Sequence, residues 1–364
     1  MSFTRVLAFL MFIFCYSLAL SQAQMPAPVT AKSADTPAAQ TSPAAPIHVP
    51  PPSEPPSGDE KSYRAEIRQL MNAGNFDQLD HTADLARSNK SRFPGGVWKL
   101  YIFYDELSAP VGDEQASEAE WNSQLDTLHR WISHNPQSIT PRLAVSEFYL
   151  KFAWRARGHE YADSVSKNEL SLFDYRTGLA RSTLENASFF KAKCPYWYQV
   201  MLEVALAQGW EKPQTEALLE QAIAFEPGFY HYYRSFNNFL LPKWYGEEGE
   251  AEAFVDKIST RLGGKEGAFV YFELATQLNC RCGKAHLSTL SWERIKQGYV
   301  ALEDLYGTSQ VKLNRYAYMT VLAKDRMAAQ QAFARLGNNW DLDTWGRRAT
   351  FEASQTWALG PIKQ

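Results

Sequence analysis

The chain has 364 residues and a formal net charge of -3 at neutral pH, enough for one large domain or two ordinary ones. Hydrophobic residues make up 45 % of it, a normal share for a globular core. Because the charge is near balance and has no polybasic field, composition argues against nucleic acid or an anionic membrane surface as the partner.

Residues 1–23 have the pattern of an export signal. Arg5 supplies a positive start, and the apolar stretch Val6–Leu20 is too short for a comfortable membrane span. Ser21-Gln22-Ala23 ends in small residues at the positions that a signal peptidase reads, so we predict cleavage after Ala23. An uncleaved anchor is the alternative. The mature chain is then expected to be exported, periplasmic or extracellular, with no membrane span left after cleavage.

Residues 24–60 are predicted to form a disordered linker. This segment is rich in Pro, Ala and Ser, and contains "PAAQTSPAAPIHVPPPSEPPSG". Such a composition offers little apolar surface to offset the entropy lost on ordering. Proline keeps the chain extended, which suits a spacer between the export signal and the body. A Pro-rich docking ligand is the alternative interpretation.

Residues 61–364 are predicted to be helical almost throughout. Apolar residues recur at i, i+4 and i+7, as in Tyr232, Phe236, Phe239 and Leu240. Turn sequences such as "HNPQS", "FEPG" and "LGGKEG" interrupt this pattern repeatedly. The spacing predicts an all-α, tetratricopeptide-like α-α superhelix made of irregular helix-turn-helix repeats, with new pairs beginning near Pro141, Tyr196, Phe229, Lys265 and Lys312.

A basic cluster lies in "WRARGHEY", where Arg155, Arg157, His159 and Glu160 surround Gly158. Basic residues favour a helix C-terminus and glycine is a common C-cap, so a plain helix end explains the pattern. Capture of an anion or carboxylate by Arg155 and Arg157 is the functional alternative.

The helix beginning near Phe229 carries the predicted binding groove. The first helix of each pair normally lines the inner surface of such a solenoid. Tyr230, Tyr233, Arg234 and Asn237 are off the predicted core stripe, and they combine aromatic area, amide groups and a cation for carboxylates. A solvated face with amphipathic tyrosines is the alternative. His129, His134 and His231 are scattered along the chain, and we expect surface or structural roles for them.

The stretch "LLPKWYGEEGEAEAF" is predicted to join two helices of one repeat. "KWYGEEG" forms the turn, Glu248 and Glu250 complement the dipole of the second helix, and Trp244 and Tyr245 fold back over the stack. A carbohydrate-active α/α enzyme using Trp244, Tyr245 and Glu248 is the alternative.

Cysteines and a histidine cluster in "NCRCGKAH". Cys280, Cys282 and His286 are all ligand types for zinc or copper, but their spacing is not that of a standard zinc site. The default in an exported protein is a disulfide to Cys194, or free thiols. A thiol or metal-binding protein is therefore a further alternative, although we predict no metal ligand and no cofactor.

Several stretches together resemble an uncharacterised family of exported bacterial proteins with tetratricopeptide-like helices, classed as a domain of unknown function. They are "NFDQLD" at 75, "GGVWKLYIFY" at 95, "FAWRARG" at 152, "LLPKWYGEEGE" at 240, "VKLNRYAYMTVLAKDRMAAQQAFARLG" at 311 and "NNWDLDTW" at 338. The resemblance implies a helical repeat fold and no established reaction. Members usually have a glycine before the Asp325-Arg326 pair, where this chain has Lys324.

The sequence thus predicts an exported scaffold that binds a protein or peptide partner in the bacterial cell envelope. We expect a binding protein rather than an enzyme, because no Ser-His-Asp order, phosphate loop or nucleophile elbow is present. No catalytic residue is predicted.

Overall fold

A computed structural model describes residues 45–50, 54–113, 115–158, 165–190, 193–282 and 289–361, without the side chains of 280–282. The predicted export signal, residues 1–23, lies outside this part of the chain, as do His159, Glu160 and His286.

The described residues form sixteen α-helices and no strand. The all-α prediction is confirmed. The helices are α1 Glu60–Ala73, α2 Phe76–Asn89, α3 Lys99–Leu107, α4 Glu118–His134, α5 Thr140–Arg157, α6 Lys167–Ala187, α7 Pro195–Gln208, α8 Lys212–Phe225, α9 His231–Phe239, α10 Glu250–Leu262, α11 Gly264–Cys282, α12 Trp292–Tyr306, α13 Gln310–Leu322, α14 Arg326–Leu336, α15 Leu342–Trp345 and α16 Arg348–Leu359.

Local sequence explains where many of these helices start. The side chains of Ser117 and Ser166 each accept a hydrogen bond from the backbone N–H three residues on. In return, the backbone N–H of each serine donates to the carboxylate of Glu120 or Glu169. These are capping boxes, which satisfy two otherwise unpaired N–H groups at a helix start. Proline in the first turn of α5, α7 and α8 also favours the start of a helix. Its fixed φ suits a helix, and its missing N–H would have no partner at that position.

The helices pack as an α-α superhelix with two rows. Each odd-numbered helix from α1 to α13 packs against the next odd-numbered one, and the even-numbered helices cover this row from the other side. Helices that approach their counterparts in successive repeats lie on the inner side of a superhelix. The odd-numbered helices therefore form the inner row, as predicted for the first helix of each pair.

Charged side chains link successive helices of the inner row. Asp105 of α3 pairs with Arg64 of α1 at 2.8 Å and with Lys151 of α5 at 2.8 Å. Farther along, Glu273 of α11 pairs with Arg234 of α9 at 3.2 Å and with Lys312 of α13 at 2.6 Å. These pairs help to fix the register of the helices, because each buried charge needs its partner.

The core between the two rows is aromatic. Trp98, Trp121 and Trp131 are almost completely buried, as are several tyrosines and phenylalanines. Most of the aromatic residues in the chain are therefore packing residues rather than groove residues. Gly298 shows how tight this packing is, because a Cβ there would collide with the backbone of α11 at Ala268 and with Phe272.

Residues 45–50, inside the predicted linker, contact the body. Ile47 and Val49 are partly buried against the core, and the Ile47 N–H donates to the carbonyl of Arg261 at 2.9 Å. Two β-branched side chains thus provide enough apolar surface to hold residues 45–50. No helix in the described ranges has both the length and the apolar character that a membrane crossing needs.

Candidate functional site

The inner row contains a cavity of about 380 Å³ with a partly polar lining. We call it the inner-row cavity. Helices α3, α5, α7, α9 and α11 contribute to it, together with the turn after α9. Its buried floor consists of Gln199, His231, Asn238 and Gln277, and its half-buried rim of Tyr101, Trp154, Glu203, Arg234, Ser235 and Trp244.

Helical spacing explains why these residues meet. On α7, Gln199 and Glu203 are one turn apart. On α9, His231, Arg234 and Asn238 follow the i, i+3, i+7 pattern of one helix face. Since both helices belong to the inner row, the two faces line the same space.

Four buried polar atoms around the cavity have no hydrogen-bond partner among the described residues. They are the Oε1 atoms of Gln199 and Gln277, Nε2 of His231 and Nε1 of Trp244. An unpaired buried donor or acceptor costs about 1–3 kcal/mol, so native proteins rarely leave four of them in one place. These atoms are therefore well placed to bind a polar ligand.

The two glutamine side chains are held in position from the protein side. Gln199 donates through Nε2 to the carboxylate of Glu203 at 3.3 Å, and Gln277 donates through Nε2 to the backbone carbonyl of Arg234 at 2.8 Å. Because the amide nitrogens are fixed in this way, each Oε1 is left as the acceptor. Both glutamines thus offer an acceptor oxygen for a further contact.

His231 is clamped between aromatic rings. It stacks on Tyr101 with 4.0 Å between ring centroids, and on Tyr230 with 4.2 Å. Burial, assisted by Arg234 and Lys312, holds the pKa of His231 well below its ordinary value. The imidazole is therefore neutral at pH 7, with one nitrogen able to donate and the other to accept.

Arg234 is the cation of the cavity. It gives one hydrogen bond to Glu273, which it shares with Lys312, and its side chain keeps about 25 % exposure. Burial would raise the pKa of Glu273, but Lys312 and Arg234 hold it below the ordinary value. With Glu273 ionised, the three side chains together carry one positive charge.

Two carboxyl groups influence each other near the cavity, and only Glu203 lines it. Glu203 is on the rim and accepts from Ser235 at 3.2 Å. Glu147 of α5 is buried, and its Oε2 makes no hydrogen bond within the described part of the chain. Burial first, and then the charge of Glu203, raise the pKa of Glu147 well above its ordinary value. The protonated form of the Glu147 carboxyl group is therefore favoured when Glu203 is ionised.

The aromatic part of the rim joins two helices and a turn. Trp154 of α5 and Trp244 meet edge to face, with 5.6 Å between centroids. Gly246 allows the turn to fold back, because a Cβ at this position would overlap the backbone of Leu240. The prediction that Trp244 and Tyr245 cover the stack is confirmed, and Tyr245 packs on Phe239 at 4.9 Å.

Most of the predicted groove residues on α9 do not lie on an open face. Tyr230, Tyr233 and Asn237 are 98 to 100 % buried, whereas they were expected on an open face. The reason is that α9 contacts four other helices, α7, α8, α10 and α11, and has almost no free side. Arg234 alone of the predicted set lines the inner-row cavity.

The two other predicted arginines act at the end of α5. Arg155 donates to the carbonyl of Ala116 at 2.8 Å and lies over the ring of Trp121. Arg157 lies over the ring of Trp154. Both contacts are structural, and the capture of an anion there stays a prediction.

The residues of the alternative sites are placed as follows. Glu248 is exposed on the turn, whereas Glu250 begins α10 and pairs with Lys212 at 2.8 Å. Glu248 does not line the cavity with Trp244. Cys194 is buried and has a free thiol. The side chains of Cys280, Cys282 and His286 lie outside the described residues, and no metal-binding group of His, Cys, Asp or Glu occurs among those described.

Comparison with known proteins adds no relative. Neither protein-family models, nor curated proteins, nor solved structures match this chain.

The sequence prediction did not find Gln199, Glu203, His231 and Gln277. A usable signal exists, because polar residues one turn apart recur on the inner-row helices, as in Gln199-Glu203 and Glu273-Gln277. On any single helix this pattern is typical of a solvated face. Its meaning becomes clear only when the helices are placed side by side.

Proposed function

We propose that this protein is an exported helical-repeat scaffold that binds a peptide segment of a cell-envelope protein in the inner-row cavity. The observation that carries the proposal is the convergence of four unpartnered polar atoms from three helices and a turn on one cavity. A binding site of this kind presents a few fixed polar groups within a shaped, partly apolar wall.

The chemistry of the lining favours a peptide. Gln199 and Gln277 offer amide oxygens, which suit the N–H groups of a backbone. Trp244 offers an indole N–H, which suits a backbone carbonyl. Trp154 and Trp244 provide rigid aromatic area for a side chain, at low entropic cost.

The cellular setting depends on the sequence of residues 1–23, with its positive start, apolar stretch and small residues before the cleavage position. Mass spectrometry of the N-terminus tests this part of the proposal. A protein recovered outside the cytoplasm and starting at Gln24 supports export, whereas an intact N-terminus in the membrane fraction contradicts cleavage.

Binding is tested with a pool of random hexapeptides added to the purified full chain. Bound peptides are separated by size exclusion and counted by mass spectrometry. Trp244→Phe keeps an aromatic ring but removes the Nε1–H and part of the indole surface, so it should weaken capture by about threefold or more, at least the value of one hydrogen bond. Trp357→Phe on α16, far along the chain from the cavity residues, is the matched control and should bind as the wild type does. Equal capture by both variants contradicts the proposed site.

A second candidate function is hydrolysis of a glycosidic bond, favoured by the carboxyl groups of Glu147 and Glu203. Such a reaction uses one protonated and one ionised carboxyl group. The raised pKa of Glu147 beside Glu203 matches this division of roles. Release of reducing ends from envelope polysaccharide by the wild type, and its loss in Glu203→Gln, would support an enzyme. Glu248→Gln is the control, since Glu248 is exposed on the turn.

A further inference from the structure

The cavity contains a cation whose charge is not fully compensated by its neighbours. Glu273 is completely buried and accepts from both Lys312, at 2.6 Å, and Arg234, at 3.2 Å. One carboxylate thus serves two cations. Lys312 is buried behind the ion pair, whereas Arg234 is partly exposed at the rim. The positive charge that Glu273 leaves unbalanced therefore lies at Arg234, on a rim that also carries the carboxylate of Glu203.

The geometry of Arg234 suits a carboxylate ligand. It uses Nη1 for Glu273, and no other hydrogen bond from its guanidinium occurs among the described residues. A guanidinium presents five N–H groups in a rigid fork that matches the two oxygens of a carboxylate. The ion pair with Glu273 holds this fork in place before any ligand arrives.

An acceptor for an N–H group lies next to this cation. Gln277 is one helical turn beyond Glu273 on α11, and its Nε2 is tied to the backbone carbonyl of Arg234. Its buried Oε1 has no partner among the described residues. The guanidinium of Arg234 is held by Glu273, and the acceptor oxygen belongs to Gln277, so both groups are positioned from neighbouring turns of α11.

From these contacts we infer that the inner-row cavity recognises the free C-terminus of a peptide, with the terminal carboxylate on Arg234 and the N–H of the last residue on Gln277. This inference rests on the proposed peptide-binding function and specifies its ligand. In a terminal residue, the carboxylate and the N–H are attached to the same Cα atom. An aspartate or glutamate side chain places its carboxylate on a flexible arm, so it fits this fixed pair of groups less well.

The rest of the cavity suits the final side chain. Trp154, Trp244 and Leu206 supply apolar surface on the side of α5 and α7. A volume of about 380 Å³ holds a few residues, so the chain end enters and the rest of the peptide stays outside.

The test compares two hexapeptide pools of identical composition, one with free carboxyl ends and one with amidated ends, on the purified full chain. Competition against a fluorescent free-acid peptide gives the affinity of each pool. A third pool is amidated but carries an internal aspartate or glutamate. We expect the free acids to bind about tenfold or more tightly than either amidated pool, the value of a charge-assisted hydrogen bond.

Variants show whether Arg234 is responsible. Arg234→Lys keeps a positive charge for Glu273, so the fold is retained, but it removes the fork; the preference for free acids should fall several-fold. Gln277→Leu should weaken free-acid and amidated peptides alike, because both carry the N–H. Arg335→Gln, which removes an arginine paired with Glu303 on the surface, should leave the preference unchanged. Because the readout is a ratio of affinities within one protein, a partial loss of stability does not mimic the effect.

The outcomes separate the inference from the proposed function. Amidated peptides that bind as tightly as free acids overturn the C-terminal assignment and leave peptide binding intact. Equal binding of the pool with internal acidic residues also overturns it, in favour of a side-chain carboxylate. If none of the pools binds, the proposed function fails, and the inference fails with it.

Discussion

Lys312 and Glu273 form an ion pair that is almost fully buried between α11 and α13, with 2.6 Å between Nζ and Oε2. Lys312→Met should lower the free energy of unfolding by about 1.5–3 kcal/mol, the value of a hydrogen bond between charged groups, because Arg234 remains as the partner of Glu273. Urea unfolding followed by circular dichroism measures this loss.

The control for this prediction is an exposed ion pair on another helix. Arg348 and Glu352 lie one turn apart on α16 and both are well exposed. Arg348→Met should change the free energy of unfolding by less than about 0.5 kcal/mol, as for other exposed pairs on helices. Similar losses of unfolding free energy in both variants would show that burial does not increase the contribution of the Lys312 pair to stability.

Glu147 should make stability depend on pH. Burial and the neighbouring Glu203 and Asp105 raise its pKa in the folded state, while Lys151 opposes them. A group with a raised folded pKa stabilises fully below its unfolded pKa, near 4.5, and loses this contribution as pH rises through the folded value. Glu147→Gln, which mimics the protonated form, should therefore match the wild type at pH 4 and exceed its stability increasingly above that.

Thermal melts of both proteins between pH 4 and pH 8 measure the difference. A gap that stays constant over this range would show that the Glu147 carboxyl group titrates in the folded protein as it does in the unfolded chain.

Lys324 adopts a left-handed backbone conformation, with φ of 57°, after α13. Its side chain is exposed. Lys324→Gly should raise the free energy of unfolding by about 0.5–1 kcal/mol, since glycine adopts positive φ without the clash of a Cβ. The greater conformational freedom of glycine in the unfolded chain offsets part of this gain.

Lys90, with φ of 52°, is the matched position for this change. Its side chain pairs with Glu226 at 2.6 Å, so Lys90→Gly loses an ion pair and should gain less. A lower melting temperature for Lys324→Gly than for the wild type would rule out strain at Lys324.

Tyr233 should behave as a core residue. It is fully buried and donates through its hydroxyl to the carbonyl of Pro227 at 2.8 Å. Tyr233→Ala should cost about 3–5 kcal/mol, as for other large aromatic truncations, whereas Tyr233→Phe should cost about 1 kcal/mol for the single hydrogen bond. Ser235→Ala, two residues on at the cavity rim, should leave urea unfolding nearly unchanged. If Tyr233→Ala proves as mild as Ser235→Ala, Tyr233 belongs to an open face after all.

The positions of the helices could be predicted because their signals are local. The first helices of five pairs were expected near Pro141, Tyr196, Phe229, Lys265 and Lys312, and α5, α7, α9, α11 and α13 begin within two residues of these positions. Proline and glycine set these boundaries through backbone geometry, which does not depend on the rest of the fold.

The face of α9 could not be predicted in the same way. The helix has nine residues, and seven of them are buried because four other helices pack around it. A hydrophobic stripe identifies the core side only when the opposite side is open. The predicted stripe of Tyr232, Phe236 and Phe239 is indeed buried, but so are its neighbours on other faces.

The most direct test of the peptide-binding account places a diazirine amino acid at one of two positions in the full chain, in living cells. Position 235, now serine, lies on the rim of the inner-row cavity, and position 353, now alanine, lies exposed on α16. After irradiation and digestion, mass spectrometry identifies what is attached at each position. We predict peptide adducts from envelope proteins at position 235 and none at position 353. Adducts confined to position 353, or equally frequent at both, would contradict the assignment of the cavity as the binding site.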